Sequence, residues 1–227
     1  MRTYVLVHGG WVGGWTWREF AQLLRMKGHE VYTPTLTGQG ERVHLYHPEV
    51  GLHTHIQDIV NVLEYEELHD IVLVGHSYGG MIITGVADRV PDRIAHMVYL
   101  DAMLPKAGQS VADLGVIEGF GLEAAEDGRY HPFPAPPGDQ EELKRRERWV
   151  LQPPQTAFER LSLAMPLEER SFSLTYVRAA NFPTPVFDAF KPRLMGTSRW
   201  RYLEWPCGHS IHREMPQELA ELLLEMA

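Results

Sequence analysis

The chain has 227 residues, 44% hydrophobic and 10% aromatic, enough for the core of one large domain and too apolar for a disordered polymer. Its formal net charge of −9 excludes the basic face that nucleic-acid binding requires. A single cysteine, Cys207, excludes an internal disulfide framework.

The opening "MRTYVLVHGGW" is too short an apolar run for a secretory h-region. No segment reaches the roughly 18 apolar residues of a membrane span. The expectation is a soluble, cytoplasmic protein without a membrane partner.

In chain order, "TYVLVH" reads as a buried strand. "TWREFAQLLRMKG" places Trp17, Phe20, Leu23 and Leu24 at helical spacing and stops at Gly28. "HEVYTP" is a second strand ended by proline. "LHTHIQDIVNVLEYEEL" is a helix with Ile56, Ile59, Val60 and Leu63 on one face. "DIVLVG" is a third strand, "GGMIITGVADRV" the helix after it and "IAHMVYLD" a fourth strand. This alternation predicts an α/β fold with a parallel sheet and crossover helices.

The pattern then changes. From 102 to 170 there is no convincing strand, only Pro/Gly clusters ("HPFPAPPGD") and a charged helical stretch ("DQEELKRRERWVL") whose "KRRER" run reads as a solvated face. This segment is expected to be an inserted, mostly helical cap on a core formed by 1–101 and 171–227. Alternation resumes with the strand "SFSLTYVRA", a helix after Pro185, the strand "RWRYLEW" and the helix "PQELAELLLEMA". About six parallel strands result.

The third strand runs into Gly75-His76-Ser77-Tyr78-Gly79 and then a helix, the setting required of a G-x-S-x-G nucleophile elbow. So tight a turn brings Gly75 and Gly79 into close approach, where any Cβ would clash, and lifts the Ser77 hydroxyl above the carboxyl edge of the sheet. The helix N-terminus beneath it offers free N–H groups to a developing oxyanion.

A serine hydroxyl needs a base. Of twelve histidines, His209 follows the last strand on that same edge, after the flexible Gly208, with His212 the minor candidate. His76, inside the elbow, is expected to point away from substrate. His44, His47, His53 and His55 match no familiar metal-ligand spacing and read as surface-loop and helix-start residues. "HGGW" ends the first strand at the same edge, so the N–H groups of Gly10 and Tyr78 are the expected oxyanion donors.

Across nearly the whole chain these residues resemble the α/β-hydrolase superfamily. "LVHGGWVGGWTWREFAQLLRMKGHEVYTPTLTGQGER", "VGHSYGGM" and "VYLDAMLPKAGQS" resemble bacterial relatives of the plant methylesterase and hydroxynitrile lyase group. The resemblance implies a capped core sheet lacking the superfamily's two opening strands, with a Ser–His–acid triad. Lyase members resemble one another in carrying threonine where this chain has Gly9 and lysine where it has Ser210, which disfavours cyanohydrin cleavage. The superfamily usually places its acid after the strand that follows the cap, but here "RAANFP" offers none. Asp101 closes an apolar strand and needs a partner, which an imidazole N–H would supply; capping the first turn of the cap would also explain it. Asp188, in the next helix, is the alternative acid.

The expected activity is hydrolysis of a carboxylic ester, hydrophobic or aromatic, through an acyl-enzyme, without metal or organic cofactor. Trp11 and Trp15 are the candidate substrate-binding residues, although aromatics there would also suit a core. Thioester, lactone or amide hydrolysis, or cofactor-free perhydrolysis, would use the same triad, and a slow-turnover small-molecule receptor would keep it. The partner is a small-molecule ester, and a homodimer is a compatible assembly.

Overall fold

The computed structural model describes residues 1–134 and 140–226. Six strands, β1 (Thr3–Val7), β2 (Glu30–Tyr32), β3 (Ile71–His76), β4 (Ile94–Leu100), β5 (Ser173–Ala179) and β6 (Trp200–Trp205), form one sheet ordered β2-β1-β3-β4-β5-β6. Every neighbouring pair is parallel.

Successive side chains of a strand leave opposite faces, so two apolar layers are interleaved in each central strand. Val5, Val7, Ile71, Leu73, Met97 and Tyr99 join a core covered by α2 (Leu52–Tyr65) and α3 (Gly79–Arg89). Tyr4, Leu6, Val72, Val74, Val98 and Leu100 face the other way, where Phe20 and Leu24 of α1 (Arg18–Met26) and Leu219 and Leu223 of the C-terminal helix meet them. The sheet is therefore covered by helices on both faces.

Residues 102–170 are less helical than expected. Among the described residues they hold α4 (Val116–Gly119), α5 (Gln140–Arg146) and α6 (Gln155–Phe158), joined by turns and extended backbone. Proline and glycine interrupt any longer run. The "HPFPAPPGD" stretch lies partly outside the described residues. Nor is "KRRER" simply solvated: the Arg146 guanidinium lies over Phe133 and Trp149, 4.9 and 4.4 Å from the ring centroids. After β5 the chain forms two short helices, α7 (Pro185–Asp188) and α8 (Lys191–Met195), in place of one. After β6 a turn of helix, α9 (Ile211–Glu214), precedes α10 (Pro216–Leu224).

Candidate active site

Ser77 stands between β3 and α3 with φ of +54°, in the left-handed region where serine is strained. Three backbone bonds hold it there. Its N–H donates to the Leu100 carbonyl at 3.3 Å, and its own carbonyl accepts from Gly80 and Met103, both at 3.0 Å. A Cβ on Gly75 would lie 2.8 Å from the Gly79 carbonyl oxygen, and one on Gly79 would lie 2.8 Å from that of Val7. Only glycine fits at either place. A Cβ at Gly9 would in turn come within 3.1 Å of the Ser77 Cβ.

The register decides which acid meets the imidazole. β4 and β5 pair Leu100 with Val177, so the next residues, Asp101 and Arg178, fall side by side at the carboxyl edge. Asp101 is fully buried with φ of +42°, and its N–H donates to the Val177 carbonyl at 2.8 Å. His209 Nδ1 lies 2.7 Å from Asp101 Oδ2. An ionised carboxylate only accepts, so that nitrogen carries the proton and Nε2 is left as the basic one. Phe182 stacks on the imidazole at 4.6 Å and Phe187 at 5.6 Å. Asp188 is elsewhere: its carboxylate, 61% exposed, accepts from Arg178 Nε and Nη2 at 3.0 and 2.9 Å. Of the two acids weighed from the sequence, Asp101 is the one beside His209.

His212 does not compete for that acid. It is buried in α9, with its ring 4.3 Å from Trp17, and burial pushes its pKa down to about 3. The expectation for His76 needs correction. Its ring lies 4.5 Å from that of His209 and borders the pocket, and its Nε2–H donates to the His209 carbonyl at 2.8 Å. Burial, with the neighbouring histidines, holds it well below the ordinary imidazole value.

β1 delivers the second wall. His8 donates from Nδ1 to the Gly9 carbonyl at 2.7 Å and accepts the Leu36 N–H at Nε2 at 3.1 Å, which fixes one neutral tautomer. Among the described residues, neither the Gly10 nor the Tyr78 N–H donates a backbone hydrogen bond to the chain. The Tyr78 hydroxyl donates to His55 Nδ1 at 3.1 Å, and His55 Nε2–H donates to the Thr37 carbonyl at 2.9 Å. His55 therefore belongs to the interior, contrary to its reading as a surface residue; His44, His47 and His53 are exposed. Its position on the inner face of α2, one residue before Ile56, was the available signal.

A pocket of about 820 Å³ is bordered by Gly9, Gly10, Trp11, Trp15, Ser77 and His209. Trp11 and Trp149 stack with ring centroids 6.4 Å apart, and Phe133 meets Trp11 edge-on at 5.8 Å. The Arg148 guanidinium lies 3.9 Å above the Trp15 ring. Flat aromatic walls beside a strained serine, an imidazole and two free N–H groups suit attack on the carbonyl of a planar substrate. Arg178 is the site residue that sequence reasoning missed. Its signal was a cation in "YVRAANFP", where an acid was sought.

Residues 4–222 match the family model described as "Alpha/beta hydrolase family". The chain belongs to that family. It is 40% identical over 242 residues to the carbendazim hydrolyzing esterase of Nocardioides sp. (strain SG-4G), with 98% of each chain covered. Methylesterase 10 of Arabidopsis thaliana is 30% identical over 139 residues, covering 57% of this chain and 50% of that one. Among solved structures, an extracellular α/β-hydrolase from a Paenibacillus species superposes with a TM-score of 0.80 at 27% identity, covering 100% of this chain and 99% of that one. That hydrolase is described as sharing structural and functional homology with tobacco salicylic acid binding protein 2. The present chain is an esterase-type member of the α/β-hydrolase family. No helix among its described residues is long and apolar enough to cross a membrane.

Proposed function

We propose that the protein hydrolyses carboxylic esters of aromatic or other hydrophobic small molecules through an acyl-enzyme at Ser77. The observation that carries this reading is the 2.7 Å contact of buried Asp101 with Nδ1 of His209, whose ring borders the same pocket as Ser77. Ser77 Oγ attacks the ester carbonyl while His209 Nε2 takes its proton, and Asp101 stabilises the imidazolium. The Gly10 and Tyr78 N–H groups receive the oxyanion; each such donor typically lowers the barrier by about 3 kcal/mol. Collapse expels the alcohol, which takes the proton from His209. Water then attacks the acyl carbon with His209 again as base, and collapse releases the acid as Ser77 Oγ leaves and takes the proton back from His209. Each of these steps is carried by the chain's own groups.

Trp11, Trp149 and Phe133 support a planar acyl or alcohol group lying along the pocket wall. Turnover of a p-nitrophenyl ester series, with carbendazim alongside because the 40%-identical relative is named for it, tests the reading. Many turnovers that disappear in Ser77→Ala support it. A single acylation without turnover contradicts it and favours a receptor.

A further inference from the structure

Arg178 is the penultimate residue of β5, at the edge where the superfamily usually places its acid, yet it carries the opposite charge and reaches across to the acid that follows the neighbouring strand. We propose that Arg178 is a positioning residue for Asp101, pairing its buried charge and aiming Oδ2 at His209, so that its loss is felt in both the rate and the pH dependence of the reaction. The inference rests on the esterase reading above.

The oxygens of Asp101 are divided between two tasks. Oδ2 meets His209, whereas Oδ1 accepts from Arg178 Nη1 at 2.7 Å and from the Ala179 N–H at 3.2 Å. A carboxylate turns as one rigid plane, so two donors fixed on Oδ1 also fix the direction of Oδ2. Asp101 is fully buried and the Arg178 side chain 5% exposed. Burying a lone carboxylate charge is costly, and the paired guanidinium offsets that cost. The planar guanidinium suits this because it remains charged and forks its donors.

Arg178 is itself held from several sides. Nη1 also donates to the Ala179 carbonyl at 2.6 Å and Nη2 to the Phe182 carbonyl at 2.9 Å. Nε and Nη2 both reach Asp188 Oδ1. Asp188 thus stands three hydrogen bonds from the imidazole, as an outer anchor for the arginine. The arrangement has an electrostatic consequence. Asp101 attracts the positive charge that develops on the imidazole, and the Arg178 guanidinium, of the same sign as that charge, works against it.

The other charged and titratable groups around His209 leave this balance to the arginine and its two acids. His76 and His212 are held neutral by burial, and burial pushes the Cys207 thiol up to about 11. Glu214 accepts the Gly208 N–H in the same loop, and Arg146, Arg213 and Glu142 border the pocket farther out.

The test is kcat and KM against pH for a p-nitrophenyl ester, measured on the full chain as wild type, Arg178→Gln, Arg178→Lys and Asp188→Asn. Arg178→Gln is expected to move the acid limb of kcat/KM to higher pH by on the order of one unit. Plateau kcat should fall roughly 10- to 100-fold, by analogy with the loss of outer partners that orient metal-ligating histidines and carboxylates, with KM little changed. Arg178→Lys keeps charge but not the fork, so its limb should stay near wild type while the plateau falls. Asp188→Asn should leave the plateau intact and move the limb slightly to lower pH. A folded Arg178→Gln with wild-type limb and plateau overturns the proposal. If that variant does not fold, Arg178→Lys decides: wild-type limb with wild-type plateau, or a limb raised by a full unit, overturns it. Wild type without an acid limb, or turnover retained in Ser77→Ala, would instead defeat the esterase reading itself.

Discussion

Gln152 Oε1 accepts the backbone N–H of Trp11 at 3.0 Å, tying the chain between β4 and β5 to the loop that ends β1. Two further bonds reinforce the tie. Val150 N–H donates to the Trp11 carbonyl at 2.9 Å, and Trp11 Nε1 donates to the Tyr130 carbonyl at 3.0 Å. Trp11 sits at φ of +65°, which a bulky residue adopts only when its surroundings hold it there. The segment over the pocket therefore also shapes the turn that presents the Gly10 N–H.

Gln152→Ala should release the Trp11 N–H and loosen that turn. Because the oxyanion donor matters most in the transition state, kcat should fall about tenfold, equivalent to ~1.4 kcal/mol, with a smaller change in KM. Steady-state kinetics on a p-nitrophenyl ester checks this. A rise in KM at constant kcat would assign Gln152 to substrate binding.

Tyr78→Phe separates side chain from backbone at the same site. The hydroxyl donates to the fully buried His55, so its loss leaves that acceptor unsatisfied and should cost about 1–3 kcal/mol in denaturant unfolding. The Tyr78 N–H is unaffected, and kcat should stay within about threefold of wild type. A loss of activity as large as that of Ser77→Ala would contradict the backbone role.

The strands and the elbow were legible because their signals are local: short, almost continuously apolar β-branched runs, and two glycines whose Cβ atoms would strike backbone. The link between Asp101 and Arg178 was not. It depends on the Leu100–Val177 register, a property of two strands separated by the whole segment over the pocket. His55 was misread because its neighbours His44, His47 and His53 suggested a loop, whereas the helical period turns it inward onto Tyr78. The helical content of 102–170 was overestimated for the converse reason, since charged periodicity there extends beyond what the prolines and glycines let fold.

Acid should destabilise the fold. Burial lowers the pKa of His8 and His55 to about 4 and of His212 to about 3, and holds His76 well down. In the unfolded chain these imidazoles titrate near about 6.5. Below that pH the unfolded state binds protons that the folded state refuses. Their contribution is therefore complete above about 6.5 and lost as pH falls toward 4, each histidine adding up to about 1.4 kcal/mol per pH unit. Melting temperature should fall steeply between pH 6.5 and 5. A flat profile across that interval would mean that these rings are not buried neutral.

The two acids should part company on substitution. Asp101→Asn keeps the shape but favours the wrong imidazole tautomer, and kcat should drop by on the order of 10²–10⁴. It should also lower the melting temperature, because buried Arg178 loses an ionised partner. Asp188→Asn, at an exposed carboxylate, should leave kcat within about twofold of wild type. Equal losses at both positions would contradict the assignment of Asp101.

The central claim is covalent chemistry at Ser77, and intact-protein and peptide mass spectrometry after rapid acid quench tests it most directly. With a slowly deacylating p-nitrophenyl ester, one acyl group per chain should appear within the first turnover, on the peptide containing Ser77. It should be absent from Ser77→Ala. Turnover of the ester with no acyl mass at Ser77, or an equal burst from Ser77→Ala, would contradict the account.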